Sequence, residues 1–100
     1  MNDLFNLLFN GFKPTTPIDR STIGGYTIST VDTCDCGPET AIIDANGSHP
    51  VERYNSIEEA REGHLKWVAF IGEEVILKGN KTITKLGYGS SLPDKEIELT

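Results

Sequence analysis

Residues 26–54 read YTISTVDTCDCGPETAIIDANGSHPVERY, and this stretch decides the fold. It holds three runs that predict β-strands, at 26–33, 39–44 and 49–54, and the first of them is rich in β-branched residues. A short turn separates the first two runs, and the next reversal contains the pair Asn46-Gly47, which tolerates the positive φ of a tight hairpin. Three strands joined in this way predict an antiparallel β-meander.

The strongest signal after the meander is the start of a helix at Ser56. Ser56 and Glu59 form a predicted capping box. In this motif the serine oxygen accepts the backbone N–H three residues later, and the glutamate side chain accepts the backbone N–H of the serine. Gly72 offers a helix end. Gly63 lies inside the helix, where glycine costs about 1 kcal/mol relative to alanine, so we expect it to let the helix lie close to the sheet. Six residues at helical spacing form the predicted buried face: Ile57, Ala60, His64, Trp67, Val68 and Ile71.

Three short strands are predicted after the helix, at 75–77, 82–86 and 96–99. The last of these has two possible partners, another strand of the same domain or the sheet of a neighbouring molecule. The predicted fold class is therefore α+β, an antiparallel β-meander packed against one α-helix.

The first 22 residues differ in character from the remainder. Residues 13–22 contain two prolines and three threonines without an apolar period, and predict an extended linker. This divides the chain into an arm and linker at 1–22 and a small α+β domain at 23–100. Five large apolar residues precede the linker with the period of one helical face. They predict an N-terminal amphipathic helical arm and, as an exposed apolar stripe, the protein's interface: Leu4, Phe5, Leu8, Phe9 and Phe12.

Charge excludes several classes of function. The 100 residues include 9 basic and 15 acidic side chains, a net charge of −6, whereas a nucleic-acid clamp needs a local surplus of Lys and Arg. The apolar run at 1–12 is short and broken by asparagines, so it predicts neither a signal peptide nor a membrane span. We therefore expect a soluble protein that binds neither nucleic acid nor membrane. Four acidic residues without a basic neighbour concentrate in 21–50: Asp32, Asp35, Glu39 and Asp44.

One set of side chains has the chemistry of a tetrahedral zinc site: Cys34, Cys36, His49 and His64. Against zinc, Cys-x-Cys is not the usual knuckle spacing, and the two histidines are far apart in sequence. The favoured interpretation is a pair of turn cysteines and a hydrogen-bonded core histidine, with no metal and no cofactor. A cysteine nucleophile is disfavoured because the neighbouring carboxylates raise a thiol pKa by like-charge repulsion.

Three pieces between residues 25 and 68 carry a resemblance to a protein family. They are the strand ETAI at 39–42, the segment PVERY at 50–54, and the helix start EEAREGH at 58–64 followed by Trp67-Val68. Together they resemble a kind of small protein encoded by tailed bacteriophages and prophages, most of them of unassigned function. The resemblance implies a phage origin and transfers no catalytic residue.

Two classes of function follow from these observations. The favoured hypothesis is a non-enzymatic virion component, associated with the capsid or tail, that contacts other phage structural proteins or a second copy of itself. The alternative is a small phage effector in the host cytoplasm that binds and blocks a defence factor, with the acidic segment attracting a basic partner.

Overall fold

A computed structural model describes residues 15–33, 37–85 and 95–100, and it confirms the α+β class. Four strands form an antiparallel meander in the order β1-β2-β3-β4. The following helix packs on one face of this sheet, and a second, two-stranded sheet follows the helix. The strands of the meander are β1 (Thr15–Ile23), β2 (Tyr26–Thr33), β3 (Gly37–Asp44) and β4 (Gly47–Arg53).

The meander has one more strand than the sequence predicts. Residues 15–22, expected to belong to a linker, form most of β1, which pairs along its length with β2 from Thr15↔Thr33 to Ile23↔Tyr26. The linker prediction is wrong for this segment, because proline interrupts an inner strand but is compatible with an edge strand. Pro17 lies in this edge strand, beside a register shift between Pro17 and Asp19. The predicted helical arm lies outside the described residues.

Alternation of side chains in the strands directs one face of the sheet toward the helix. Tyr26, Ile28 and Thr30 are buried in β2, and their counterparts Thr40 and Ile42 are buried in β3. Among the residues that the structure describes, nine apolar side chains are buried between the sheet, the helix and the C-terminal strands: Tyr26, Ile28, Ile42, Val51, Ala60, Ile71, Val75, Ile83 and Leu99.

The predicted capping box forms, with one difference. Helix α1 (Ile57–Phe70) begins after Ser56, whose side chain accepts a hydrogen bond from the Glu59 N–H at 3.1 Å. The Glu59 carboxylate accepts the N–H of Asn55 at 3.0 Å, so it reaches one residue further back than a capping box requires. The helix start is therefore fixed by side chains from both directions.

The helix does not end at Gly72. It continues as a π-helical segment, Ile71–Leu77, and the positive φ that ends it belongs to Gly79, at +76°. The predicted strand at 75–77 is therefore wrong. Three apolar residues do not distinguish a strand from a helix, and here Val75 is buried one turn after Ile71 while Leu77 projects outward.

The two C-terminal strands are confirmed and pair with each other. β5 (Thr82–Lys85) and β6 (Lys95–Glu98) form an antiparallel ladder from Thr82↔Glu98 to Lys85↔Lys95. Ile83 and Leu99 from this hairpin enter the core. The last strand therefore pairs within the chain, which was one of its two expected partners.

Candidate functional site

The polar centre of the fold is His64, on the face of α1 that meets the sheet. Its side chain is fully buried. Ser21 Oγ of β1 lies 2.8 Å from His64 Nε2, and Thr30 Oγ1 of β2 lies 2.7 Å from His64 Nδ1. Both ring nitrogens therefore have a hydroxyl partner, as a buried polar group requires.

The hydrogen bonds continue across the sheet from Thr30. Thr30 Oγ1 lies 2.6 Å from Thr40 Oγ1, and both threonines are fully buried. The Tyr54 hydroxyl, which follows β4, donates to Thr40 Oγ1 at 2.9 Å. We call this set the hydroxyl chain; its members, from one edge of the sheet to the other, are Ser21, His64, Thr30, Thr40 and Tyr54.

The end of the hydroxyl chain at Ser21 lies close to an exposed carboxylate, that of Asp19. Ser21 is half-buried, and two residues earlier Asp19 has 48% of its side chain exposed. Asp19 Oδ2 lies 3.8 Å from His64 Nε2. Ser21 and Thr30 contact opposite nitrogens of the His64 ring. A serine, a histidine and a residue on the other ring nitrogen are the elements of a nucleophile, a base and a residue that orients the base.

The opposite end of the hydroxyl chain adjoins a charged cluster. Glu52 Oε1 accepts hydrogen bonds from Lys66 Nζ at 2.7 Å and from Trp67 Nε1 at 2.8 Å. Burial raises the pKa of Glu52, but these bonds outweigh it and the pKa is lowered. Burial and the nearby charge of Glu52 raise the pKa of the Tyr54 hydroxyl to about 12. Tyr54 therefore keeps its hydrogen at neutral pH.

The structure does not bring the two histidines of the candidate zinc set into one network. His49 Nε2 lies 3.0 Å from Asp44 Oδ1 in the β3–β4 hairpin, while His64 belongs to the hydroxyl chain. Cys34 and Cys36 lie outside the described residues. Among residues 15–33, 37–85 and 95–100, no group of three or more histidines, cysteines or carboxylates is placed to hold a metal ion.

Asp44 forms a second buried polar cluster. Only 2% of its side chain is exposed, and it accepts hydrogen bonds from the N–H groups of Asn46 and Thr100 as well as its contact with His49. Burial raises the pKa of Asp44, but the bonds from Thr100, His49 and Asn46 outweigh it and bring the pKa to about 2. The Tyr26 hydroxyl donates to the Thr100 carbonyl at 2.6 Å, so this cluster fixes residue 100 to the meander.

We expect acid to weaken the fold through Asp44. Its pKa is lowered from an ordinary value of 3.8 to about 2, so the ionised carboxylate stabilises the folded state above pH 4, and this contribution is lost as the pH falls through 2. The expected loss is about 1–2 kcal/mol after allowance for solvent screening. Urea unfolding between pH 5 and pH 2 measures it. Asp44→Asn should flatten that part of the profile, whereas Asp32→Asn, whose carboxylate has no hydrogen bond to a described residue, should not.

The predicted interface residues, Leu4, Phe5, Leu8, Phe9 and Phe12, lie outside the described residues. Large apolar side chains are nevertheless exposed elsewhere, on the helix. Leu65 is 66% exposed and Leu77 is 79% exposed. Sequence periodicity assigned no function to either leucine, because it identifies the buried face of a helix and not leucines on the opposite face.

The hydroxyl chain had only a partial signal in the sequence. His64 was predicted to be a hydrogen-bonded core residue, and its environment in the structure is of that kind. Thr30 lies at a position of β2 whose side chain is on the buried face, where an apolar residue is expected. Such a polar residue at a core position is the signal that points to a buried network, but it does not identify the partner strand.

No protein-family model, curated protein or solved structure matches this chain. Within the described residues, no helix has the length and apolar character needed to cross a membrane.

Proposed function

We propose that this protein is a non-enzymatic component of a phage virion that acts through protein–protein contacts. The observation that carries the proposal is the exposure of Leu65 and Leu77 on the helix. Leu77 is adjacent in the chain to Ile76, which is 47% exposed, and neighbouring large apolar side chains on an outer surface are typical of interaction sites. The resemblance of residues 25–68 to small phage proteins supports the phage assignment.

The described residues favour side-chain contacts as the mode of assembly. Both edge strands of the meander contain a proline, Pro17 in β1 and Pro50 in β4, and β1 also has a register shift beside its proline. Prolines and bulges in edge strands oppose the addition of a further strand. The helix, with its exposed leucines, is the better candidate for a contact surface, together with the predicted apolar stripe at Leu4, Phe5, Leu8, Phe9 and Phe12.

The alternative hypothesis, a cytoplasmic effector with an acidic binding face, has less support. Of the four acidic residues between 21 and 50, Glu39 has its Oε2 3.5 Å from Arg53 Nε, and the Asp44 side chain is buried. Asp35 lies outside the described residues. These contacts reduce the negative charge available to attract a basic partner.

A paired substitution tests the proposal. Leu65→Gln with Leu77→Gln removes apolar surface without burying a polar group, so we expect an unchanged free energy of unfolding and a loss of at least tenfold in incorporation into virions. Arg61→Gln is the matched control on the same helix, because Arg61 is exposed and has no hydrogen bond to a described residue. Quantitative mass spectrometry of purified virions measures the copy number. Deletion of residues 1–13 provides a second arm, which tests the predicted interface at Leu4, Phe5, Leu8, Phe9 and Phe12.

Two results would count against this function. Absence of the wild-type chain from purified virions excludes a structural role and favours the effector. Normal incorporation of both the paired variant and the truncated chain excludes these two surfaces as contacts.

A further inference from the structure

The hydroxyl chain poses a question about chemistry, because Ser21 and His64 have the spacing of a nucleophile and its base. Such a base must have a free lone pair on the nitrogen that faces the serine. Here that nitrogen is Nε2, and the other nitrogen, Nδ1, faces Thr30. The position of one hydrogen on the imidazole ring therefore decides whether Ser21 is activated.

The direction of each hydrogen bond in the hydroxyl chain follows from its end at Tyr54. Tyr54 has one hydroxyl hydrogen and two possible acceptors, Thr40 Oγ1 at 2.9 Å and the Glu52 carboxylate. The Glu52 carboxylate accepts from Lys66 and Trp67 through Oε1 and keeps lone pairs for a further donor, so contact geometry decides between the two acceptors. The short, directed contact from Tyr54 is the one to Thr40, so the hydrogen lies there.

The remaining hydrogens follow in sequence. Thr40 is fully buried, and the acceptor left for its own hydrogen among the described residues is Thr30 Oγ1, at 2.6 Å. Thr30 then donates to His64 Nδ1 at 2.7 Å. A nitrogen that accepts a hydrogen bond carries no hydrogen, so in the neutral ring the hydrogen is on Nε2.

We infer that His64 holds its hydrogen on Nε2 and donates it to Ser21, so that Ser21 is a hydrogen-bond acceptor and not an activated nucleophile. In the opposite direction, Ser21 donates to Nε2 and Nδ1 donates to Thr30. Thr30 then donates to Thr40, and the Thr40 hydrogen has no acceptor unless Tyr54 turns to Glu52. Folded proteins avoid a buried hydroxyl hydrogen without a partner.

Ser21 and His64 therefore have a structural role, although their geometry is that of a catalytic serine–histidine pair. His64 joins α1 to the edge strand β1 through Ser21 and to the centre of the sheet through Thr30. The inference stands on the geometry of the hydroxyl chain alone and does not depend on the proposed virion contacts.

Nitrogen NMR of the full chain, labelled with ¹⁵N in the histidine rings, tests the inference at neutral pH. We expect the pyrrole-type chemical shift on His64 Nε2 and the pyridine-type shift on Nδ1, with the His49 signals assigned through His49→Gln. Tyr54→Phe should leave this pattern unchanged, because Thr40 still has Thr30 as its acceptor. A hydrogen on Nδ1 in the wild type, or an even mixture of both forms, would overturn the inference.

A fluorophosphonate probe, which reacts with activated serines, tests the same point chemically. We expect the wild-type chain and Ser21→Ala to be labelled to the same background extent. Labelling of the wild type that is at least tenfold above Ser21→Ala would overturn the inference and identify a serine–histidine pair competent for acyl transfer.

Discussion

Replacement of Gly63 by alanine is expected to lower the free energy of unfolding by about 2 kcal/mol, although alanine is the better helix former. A Cβ built at Gly63 would overlap two ring carbons of Tyr54, Cε1 and Cζ, and its hydroxyl oxygen, closer than real atoms approach one another. The ring must move, and with it the hydroxyl that donates to Thr40. Urea unfolding followed by the fluorescence of Trp67 measures the loss.

Gly72 is the matched control for Gly63. It lies in the same continuous helical stretch, has no positive φ, and a Cβ at this position meets nothing within 4 Å. Gly72→Ala is therefore expected to be neutral or to gain up to about 1 kcal/mol. In a Tyr54→Ala background the clash is absent, so Gly63→Ala should cost nothing further there. A full loss in that background would contradict the assignment of the effect to Tyr54.

Thr30→Val is expected to lower the free energy of unfolding by about 3 kcal/mol. Valine has nearly the shape of threonine and a higher preference for strands, so propensity alone predicts a small gain. The substitution removes the hydroxyl that is hydrogen-bonded to both Thr40 Oγ1 and His64 Nδ1, and all three side chains are fully buried. Each buried polar group left without a partner costs about 1–3 kcal/mol.

Two variants on the same strand are the controls for Thr30→Val. Thr27→Val changes a half-buried threonine of β2 on the other face of the sheet, so a shift within about 0.5 kcal/mol is expected. Thr30→Ser keeps the hydroxyl and loses one methyl, for about 1 kcal/mol. Thermal unfolding of the three variants beside the wild type makes the comparison. A Thr30→Val protein as stable as Thr27→Val would mean that the hydroxyl chain does not form.

The sequence predicted those parts of the fold that local patterns determine. Ser56 and Glu59 marked the helix start, the β-branched run at 26–33 marked β2, and Gly63 was expected to permit a close approach, which its position against Tyr54 explains. Each of these features depends on residues within a few positions of one another, or on the small size of a glycine.

The sequence did not predict features that depend on distant partners. Residues 15–22 become a strand because β2 provides a ladder for them, and their prolines are compatible with an edge. The helix passes Gly72 because Val75 is buried beside Ile71 in the core. The hydroxyl chain was missed for the same reason, because Ser21 and Tyr54 are brought to His64 and Thr40 only by the tertiary fold.

The construction of the sheet edges has a consequence for how the protein behaves at high concentration. Pro17 and the register shift interrupt β1, and charged Asp19 and Arg20 are exposed beside them. A strand without a continuous row of free N–H and C=O groups is a poor template for amyloid growth. The folded chain can therefore reach high concentration with little risk of fusing into fibrils through this edge.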